Sequence, residues 1–428
     1  MKHETLSPWN ISPWNRISAG LLLAITAASP LTRADEKPEA VKSSVGESPS
    51  GQGGQGSALF QKPAPSGKGT RTTVSSGAVQ YPLVIVSGTP YEMGRQLGMC
   101  ISQEMNTFIP AVMESIMKQL GLTPAGLQEI WARSAAFTDD RLEQELAGLA
   151  DGSGVPLALL QSMHAVPLLM PYSCSSVAAW GSATTDGHLY QTRNLDWSLE
   201  LKAHEFPVIV VYVPERGIPH VVPTFAGMAG AHTGMNIRGV ALSEMGDSSA
   251  KEMPYQIHAP HFTSFFRTML YDADSLTSTL TIFKAQEHTK RYHFVFGDGL
   301  TDKRAVKIRA HSPEAPHQRI TIWKDNDATD EVAPDVLSCV VYNDEGRGAY
   351  PVIKENHGRI DAEKMIALAN HIPIKGGNVE NVVYDATALK LWVSYAHGDE
   401  EAWQRPYVEV NLRTLDANAD GKPDLTIP

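Results

Sequence analysis

Tyr172-Ser173-Cys174-Ser175-Ser176-Val177-Ala178-Ala179-Trp180, followed by Asp186-Gly187 and then by Arg193-Asn194-Leu195-Asp196-Trp197, is the stretch that decides the fold. Small and β-prone residues around Cys174 predict a strand, and Asp-Gly predicts the tight turn of a hairpin. The return strand then carries Arg193 and Asp196 back toward the thiol. A nucleophile beside a cation and a carboxylate is a catalytic constellation. A surface salt pair on a hairpin is the plainer reading of Arg193 and Asp196, but it leaves their spacing from a candidate nucleophile unexplained.

Outward from this hairpin, period-two patterns predict strands at 177–179, 189–194, 208–213, 221–225, 240–243, 292–296, 305–308, 320–323, 339–342, 391–395 and 408–411. Helical patterns interrupt them at 263–271, 275–285 and 361–371. Strand runs separated by helices predict two antiparallel sheets with helices packed outside, an α+β layered domain. Upstream, Val79–Val86 reads as a strand, with Pro82 suggesting an edge, and Gly88-Thr89-Pro90 reads as a turn. From Tyr91 to Val166 the pattern is helical. Thr123 caps with Pro124 in the first turn, and Leu142, Leu146 and Leu149 recur at helical spacing before Gly152, which predicts three or four helices.

The chain has 428 residues, 42% hydrophobic and 19% charged, enough for one large core or two smaller ones. With 36 basic and 47 acidic side chains its net charge is −11, so no general attraction to nucleic acid or anionic lipid is expected. Lys2 and Arg16 precede an apolar run at Ile17–Ala28, which is too short to span a bilayer but suits a signal-peptide core. Residues 1–34 are therefore expected to direct export, with no stable membrane anchor. Residues 35–77, rich in Gly, Ser and Pro, are expected to be a disordered linker. The three cysteines, Cys100, Cys174 and Cys339, form no disulfide framework. Cys100 and Cys339 read either as an oxidised pair or, preferably, as two unpaired core thiols.

Gly88-Thr89-Pro90-Tyr91-Glu92-Met93-Gly94-Arg95-Gln96-Leu97-Gly98 resembles the opening of the isopenicillin N acyltransferase family of N-terminal-nucleophile (Ntn) cysteine hydrolases. Further landmarks follow in that family's order: Glu145 to Gly152, the block at Cys174, the strand Arg193 to Trp197, Gly234 to Val240, and Val382 to Asp385 leading into Leu391-Trp392-Val393. The similarity covers about residues 80–412. The resemblance implies a four-layered αββα sandwich with an N-terminal helical block. It also implies a precursor that cuts itself at Ser173–Cys174, leaving 78–173 as a small α-subunit and 174–428 as the catalytic β-subunit, the two staying together. The freed α-amino group of Cys174, of ordinary pKa about 7.7–8.0, would then serve as base toward its own thiol.

By the same resemblance Asp196 aligns with an aspartate beside the cysteine amine. Arg193 has a counterpart in the related choloylglycine hydrolases, and its charge suits either lowering the thiol pKa or holding a substrate carboxylate. Asn343, in Val340-Val341-Tyr342-Asn343-Asp344, matches an oxyanion-hole asparagine, although the family continues with histidine where this chain has Asp344. Asn236 reads as a structural turn residue. Gly246 stands where the choloylglycine relatives have another asparagine, which weakens any bile-salt reading. The substrate implied is a small-molecule acyl amide, with water or an amine as acceptor, and no cofactor or metal is called for.

Other motifs take plainer readings. His258 and His261 lack a third ligand and are separated by Pro260. Asp416 to Asp424 resembles half a calcium loop, but Ile427 replaces its closing glutamate, so a solvated tail is the default. Trp180 and Trp197 read as core rather than substrate platform. Two other functions remain open: a papain-like thiol protease pairing Cys174 with a histidine such as His293, and a catalytically silent secreted binding protein on the same scaffold. Against the protease, a strand rather than a helix is expected after the cysteine.

Overall fold

The computed structural model describes residues 67–169, 172–246, 258–310, 320–333 and 335–425. The expected signal peptide and residues 35–66 of the expected linker lie outside the described residues. In chain order the strands are β1 (Thr70–Ser76), β2 (Val79–Gly88), β3 (Ser173–Gly181), β4 (Gly187–Asp196), β5 (Pro207–Pro214), β6 (His220–Phe225), β7 (Thr233–Asn236), β8 (Val240–Gly246), β9 (Tyr292–Asp298), β10 (Arg304–Ala310), β11 (Ile320–Trp323), β12 (Val340–Asn343), β13 (Asn378–Asp385), β14 (Lys390–Tyr395) and β15 (Val408–Asn411). The helices are α1 (Pro90–Cys100), α2 (Ser102–Leu120), α3 (Pro124–Ala135), α4 (Asp140–Ser153), α5 (Leu157–Leu169), α6 (Phe262–Asp272), α7 (Leu276–Lys284), α8 (Ala349–Asn356) and α9 (Ala362–His371).

One sheet has nine strands in the order β1-β2-β5-β6-β7-β8-β9-β10-β11, antiparallel except for the parallel β2–β5 pair. The other has six, β12-β3-β4-β13-β14-β15, all antiparallel. The two sheets stack face to face through β3 and β4 against β8, β9 and β10. On the outer face of the larger sheet, Phe294 and Phe296, two apart on β9 and so on one side of the strand, meet Phe266 of α6 and Phe283 of α7. On the outer face of the smaller sheet a second core joins Val177, Tyr190 and Val383 to Ile353 of α8 and Met365 and Leu368 of α9. The architecture is thus α+β, a four-layered αββα sandwich, as the resemblance implies.

The helical block holds five helices rather than three or four, and it opens on a sharp local signal. Thr89 caps α1 in a reciprocal capping box with Glu92, and Pro90 occupies the first turn. The two glycine-bearing motifs then explain each other. A Cβ added at Gly94 would lie 2.0 Å from the carbonyl oxygen of Glu145, and one at Gly148 2.0 Å from that of Tyr91. Gly98 and Gly152 also leave no room for a side chain, with the Leu149 and Arg95 carbonyl oxygens 2.5 and 2.1 Å from an added Cβ. Helices α1 and α4 therefore cross backbone on backbone, a contact that only glycine permits. Buried Glu145 on the same helix grips Arg267 of α6 at 3.0 and 2.8 Å, tying the helical block to the sandwich.

Three expectations are corrected. Thr70–Ser76 is a strand rather than linker, because alternating Thr, Arg and Val side chains pair with Tyr81 to Ile85 in a hairpin. That hairpin makes β2 internal, and Pro82 is tolerated because the parallel pairing with β5 begins only at Leu83. Strands β7 and β13 and helix α8 were absent from the sequence-based set. Among the described residues, no helix is long and apolar enough to cross a membrane.

Candidate active site

Cys174 lies at the second residue of β3, fully buried, opposite Leu195 of β4, while Ser173 lies opposite Asp196. Side chains two apart share a face, so Arg193 projects on the same side as Cys174. Its guanidinium Nη2 donates to the Cys174 sulfur at 3.3 Å. Burial pushes the Cys174 thiol pKa up, Arg193 opposes this, and the carboxylates of Glu244 and Asp196 add to the rise. The hairpin thus brings together three predicted site residues, with the Arg193 guanidinium against the Cys174 sulfur.

Asp196 is fully buried, and burial raises its pKa to about 6. The backbone N–H of Ile374 and the side-chain amide of Asn378, each at 3.0 Å, hold its carboxylate and oppose that rise. Asn378 is on β13, the neighbouring strand, and Ile374 lies just before it, so the segment entering β13 fixes the carboxylate.

Asn343 ends β12, directly opposite Ser176, and so shares the face of Cys174. Its side-chain oxygen accepts from the Glu345 N–H at 3.3 Å, while its buried amide Nδ2 has no hydrogen-bond partner. A fixed, unsatisfied donor on the thiol's face is what an oxyanion site requires. Asp344, where the family has histidine, accepts from Gly346 and Ala349 at the start of α8 and is a structural cap.

Four neighbours escaped the sequence reading. Glu244 on β8 is fully buried 3.8 Å from Arg193 and accepts from the Tyr172 hydroxyl at 2.8 Å. Burial raises its pKa to about 7, and Arg193 and Tyr172 oppose the rise. Arg347 donates to the Cys174 carbonyl at 2.9 Å and to that of Ile372 at 2.6 Å, bracing the residue that carries the thiol. Lys290, its pKa lowered to about 8 by burial, stands 4.5 Å over the Tyr172 ring. Glu244 offered a signal, a carboxylate two residues after the apolar run Val240-Ala241-Leu242 on the same strand; Tyr172, Arg347 and Lys290 offered none.

Gly246 has its own reason. A Cβ there would lie 2.7 Å from the Tyr172 carbonyl oxygen, so this chain has no room for the asparagine of the choloylglycine relatives. Asn236 bonds the Leu270 and Ala273 carbonyls and the Arg238 and Val240 N–H groups, a turn residue away from the thiol. His261 caps α6. Cys100, Cys174 and Cys339 are free thiols. Cys174 begins a strand, and the partner of its sulfur is Arg193, which disfavours the papain-like reading.

Beside Arg193 and Leu195 opens a cleft with an interior volume of about 90 Å3. Its walls are almost wholly apolar, with Phe108 and Val112 of α2 and Met163 and Val166 of α5 on one side and Trp197 and Phe225 on the other. Trp197 therefore lines a cavity, whereas Trp180 is core. The helical block supplies half of this cavity, so the site needs both halves of the chain.

No family model matches the chain. It is 31% identical to protein dcd1B of Dictyostelium discoideum over 206 residues, which spans 41% of each protein. It is 23% identical to protein dcd1A of the same organism over 365 residues, covering 73% of this chain and 78% of that one. Among solved structures it is similar to a Caenorhabditis elegans N-acylethanolamine-hydrolyzing acid amidase ortholog, at 15% identity and a TM-score of 0.40 over 56% of this chain and 100% of that one. It is also similar to a mutant conjugated bile acid hydrolase from Clostridium perfringens, at 11% identity and a TM-score of 0.39 over 57% and 94%. A penicillin V acylase from Agrobacterium tumefaciens stands at 11% identity and a TM-score of 0.38 over 57% and 88%. All three are Ntn hydrolases.

Proposed function

We propose that this chain is an exported, self-processing cysteine amidohydrolase or acyltransferase of the isopenicillin N acyltransferase type, acting on non-peptide amides whose acyl half is apolar. One observation carries the reading: a strand-leading thiol bonded to Arg193 at 3.3 Å, with Asp196 opposite the preceding residue and the unpaired Asn343 amide on the thiol's face, opens beside an apolar cavity.

In processing, the Cys174 sulfur adds to the Ser173 carbonyl carbon, the Ser173–Cys174 C–N bond breaks, and the thiol proton passes to the departing nitrogen. Water then hydrolyses the thioester, releasing the Ser173 carboxylate and regenerating the thiol. The freed α-amine lies across the strand pair from Asp196, whose carboxylate orients it and favours its charged form. In turnover the amine takes the thiol proton and the sulfur attacks the substrate carbonyl. The Asn343 amide donates to the oxygen as it gains charge, and the amine returns its proton to the leaving nitrogen. Water or a second amine resolves the thioester. Arg193 offsets the cost of forming a thiolate in this buried place.

The test is a panel of acyl amides that varies the acyl and amine halves separately, read by mass spectrometry of the Cys174 peptide during turnover. An acyl adduct on Cys174 and release of the amine support the reading. Turnover with no adduct, surviving in Cys174→Ala, defeats it.

A further inference from the structure

We infer that Glu401 is a positioning residue for turnover, acting on the Cys174 amine through a glycine loop and Asp196 without touching the reacting atoms. The inference rests on the amide-cleaving reading above and adds a residue which that reading does not use.

The two donors that hold the Asp196 carboxylate belong to one short segment: the Ile374 N–H and the Asn378 side-chain amide, each at 3.0 Å. Where that segment sits therefore decides where the carboxylate sits. Arg347, 3.9 Å from Asp196, is beyond hydrogen-bond range and does not replace them. The middle of the segment is Lys375-Gly376-Gly377, and two glycines carry no side chain with which to pack a loop. Gly376 adopts φ 93°, in the left-handed region that favours glycine. Hydrogen bonds must hold such a loop, and Glu401 supplies them. Its buried carboxylate accepts from the Gly376 N–H at 2.9 Å through both oxygens, from Gly377 at 3.1 Å and from Asn378 at 3.0 Å. Three consecutive N–H groups converging on one charged acceptor make a strong anchor. The Gly377 carbonyl is engaged as well, accepting at 2.7 Å from the N–H of Trp197, the residue after Asp196.

The residues after Glu401 set the direction of the Asn378 side chain. The Trp403 N–H donates to Asn378 Oδ1 at 2.9 Å. With its oxygen so engaged, Asn378 turns its amide hydrogens toward Asp196 Oδ1 and toward Asn381, 2.8 Å away. Lys375 closes the clamp, its ammonium 3.7 Å from the centroid of the Trp403 ring. Glu401 thus anchors the loop, the loop fixes Asp196, and Asp196 orients the amine that takes the thiol proton.

The experiment uses Glu401→Gln, which keeps the size of the side chain, removes its charge and leaves one acceptor oxygen for three N–H groups. It is read on mature protein whose second chain begins at Cys174, with the amide that the panel above identifies. There kcat should fall by about tenfold to a hundredfold with KM nearly unchanged, the scale of loss when a group beside the reacting atoms is misplaced by about 1 Å. In an Asp196→Asn background the same change should lower kcat by less than about twofold, because the carboxylate it positions is already gone. Equal losses in the two backgrounds, a loss confined to KM, or an unchanged kcat in the enzyme that keeps Asp196 would each overturn the inference and leave the amide-cleaving reading standing. Should Glu401→Gln not fold, hydrogen exchange of the wild-type mature protein decides. The Gly376, Gly377 and Asn378 amides should exchange at least about a hundredfold more slowly than unstructured ones, and free exchange there overturns the clamp. Wild-type protein that cuts itself before Cys174 yet cleaves nothing in the panel overturns the amide reading, and the role of Glu401 with it.

Discussion

Replacing Gly148 by alanine should destabilise the protein by about 2 kcal/mol or more, although alanine is the better helix former. The added Cβ would stand 2.0 Å from the Tyr91 carbonyl oxygen and 2.8 Å from the Arg95 nitrogen, both backbone atoms of α1 that cannot rotate aside. Ordinary carbon contacts are about 3.5–4.0 Å, so the helices must part by roughly 1.5 Å at their crossing. Overpacking of this kind costs about 1–3 kcal/mol and occasionally more, and immobile backbone on the far side puts this case at or beyond the upper end. The gain in helix propensity returns about 1 kcal/mol. Gly126 on α3 is the control, since its added Cβ meets nothing nearer than the Thr123 hydroxyl at 3.6 Å. There the same substitution should be neutral or stabilise by up to about 1 kcal/mol. Equilibrium urea unfolding in an uncut Cys174→Ala background reads both variants as one continuous chain. A midpoint for Gly148→Ala equal to or above its parent would refute the glycine-on-glycine crossing.

Asp196→Asn separates stability from function. The folded pKa of about 6 stands above an unfolded value of about 3.9, so the carboxylate's contribution is fully favourable below pH 4 and is lost as pH rises through 6, amounting to about 3 kcal/mol at neutral pH before the asparagine's own hydrogen bonds are counted. The variant should therefore melt higher than wild type at pH 7 and no higher at pH 4, while turnover falls at least about a hundredfold; a lower midpoint at pH 7 would mean that the buried charge is not a burden. Glu244→Gln removes a charge that opposes thiolate formation, so the pH profile of Cys174 alkylation by iodoacetamide should move to lower pH. A move to higher pH would show that Glu244 assists the thiol instead. Asn343→Ala should lower kcat by about 10²–10³-fold with little change in KM, as loss of one oxyanion donor does, and a change confined to KM would remove it from that role.

Much of the sandwich was legible because its strands carry plain alternation or continuous β-branched runs, as in Val208 to Val213, and because Asp186-Gly187 marks the hairpin that sets the site. One of the strands that escaped, β13, begins Asn378-Val379-Glu380-Asn381-Val382, and every one of those residues is buried. Its polar members are inside because they serve the site: Asn378 holds Asp196, Asn381 accepts from Asn194 and Glu380 holds His232. Hydrophobic periodicity fails where burial is bought with polar pairing. Helix α8 was hidden for a related reason, since its start is set by Asp344 rather than by an apolar stripe. The hairpin placed Cys174, Arg193 and Asp196 together from local spacing alone. Glu244 and Arg347 come from distant segments, and only the folded sheet brings them to the thiol.

The account stands on the claim that Cys174 becomes a chain terminus and attacks with its own amine beside it. Intact-mass measurement of the purified wild-type protein and of Cys174→Ala, with terminal sequencing of each product, tests this most directly. Two associated chains, the second beginning at Cys174, are predicted for the wild type, and a single uncut chain for the variant. A wild-type protein that cleaves amides while Cys174 remains joined to Ser173 would contradict the account.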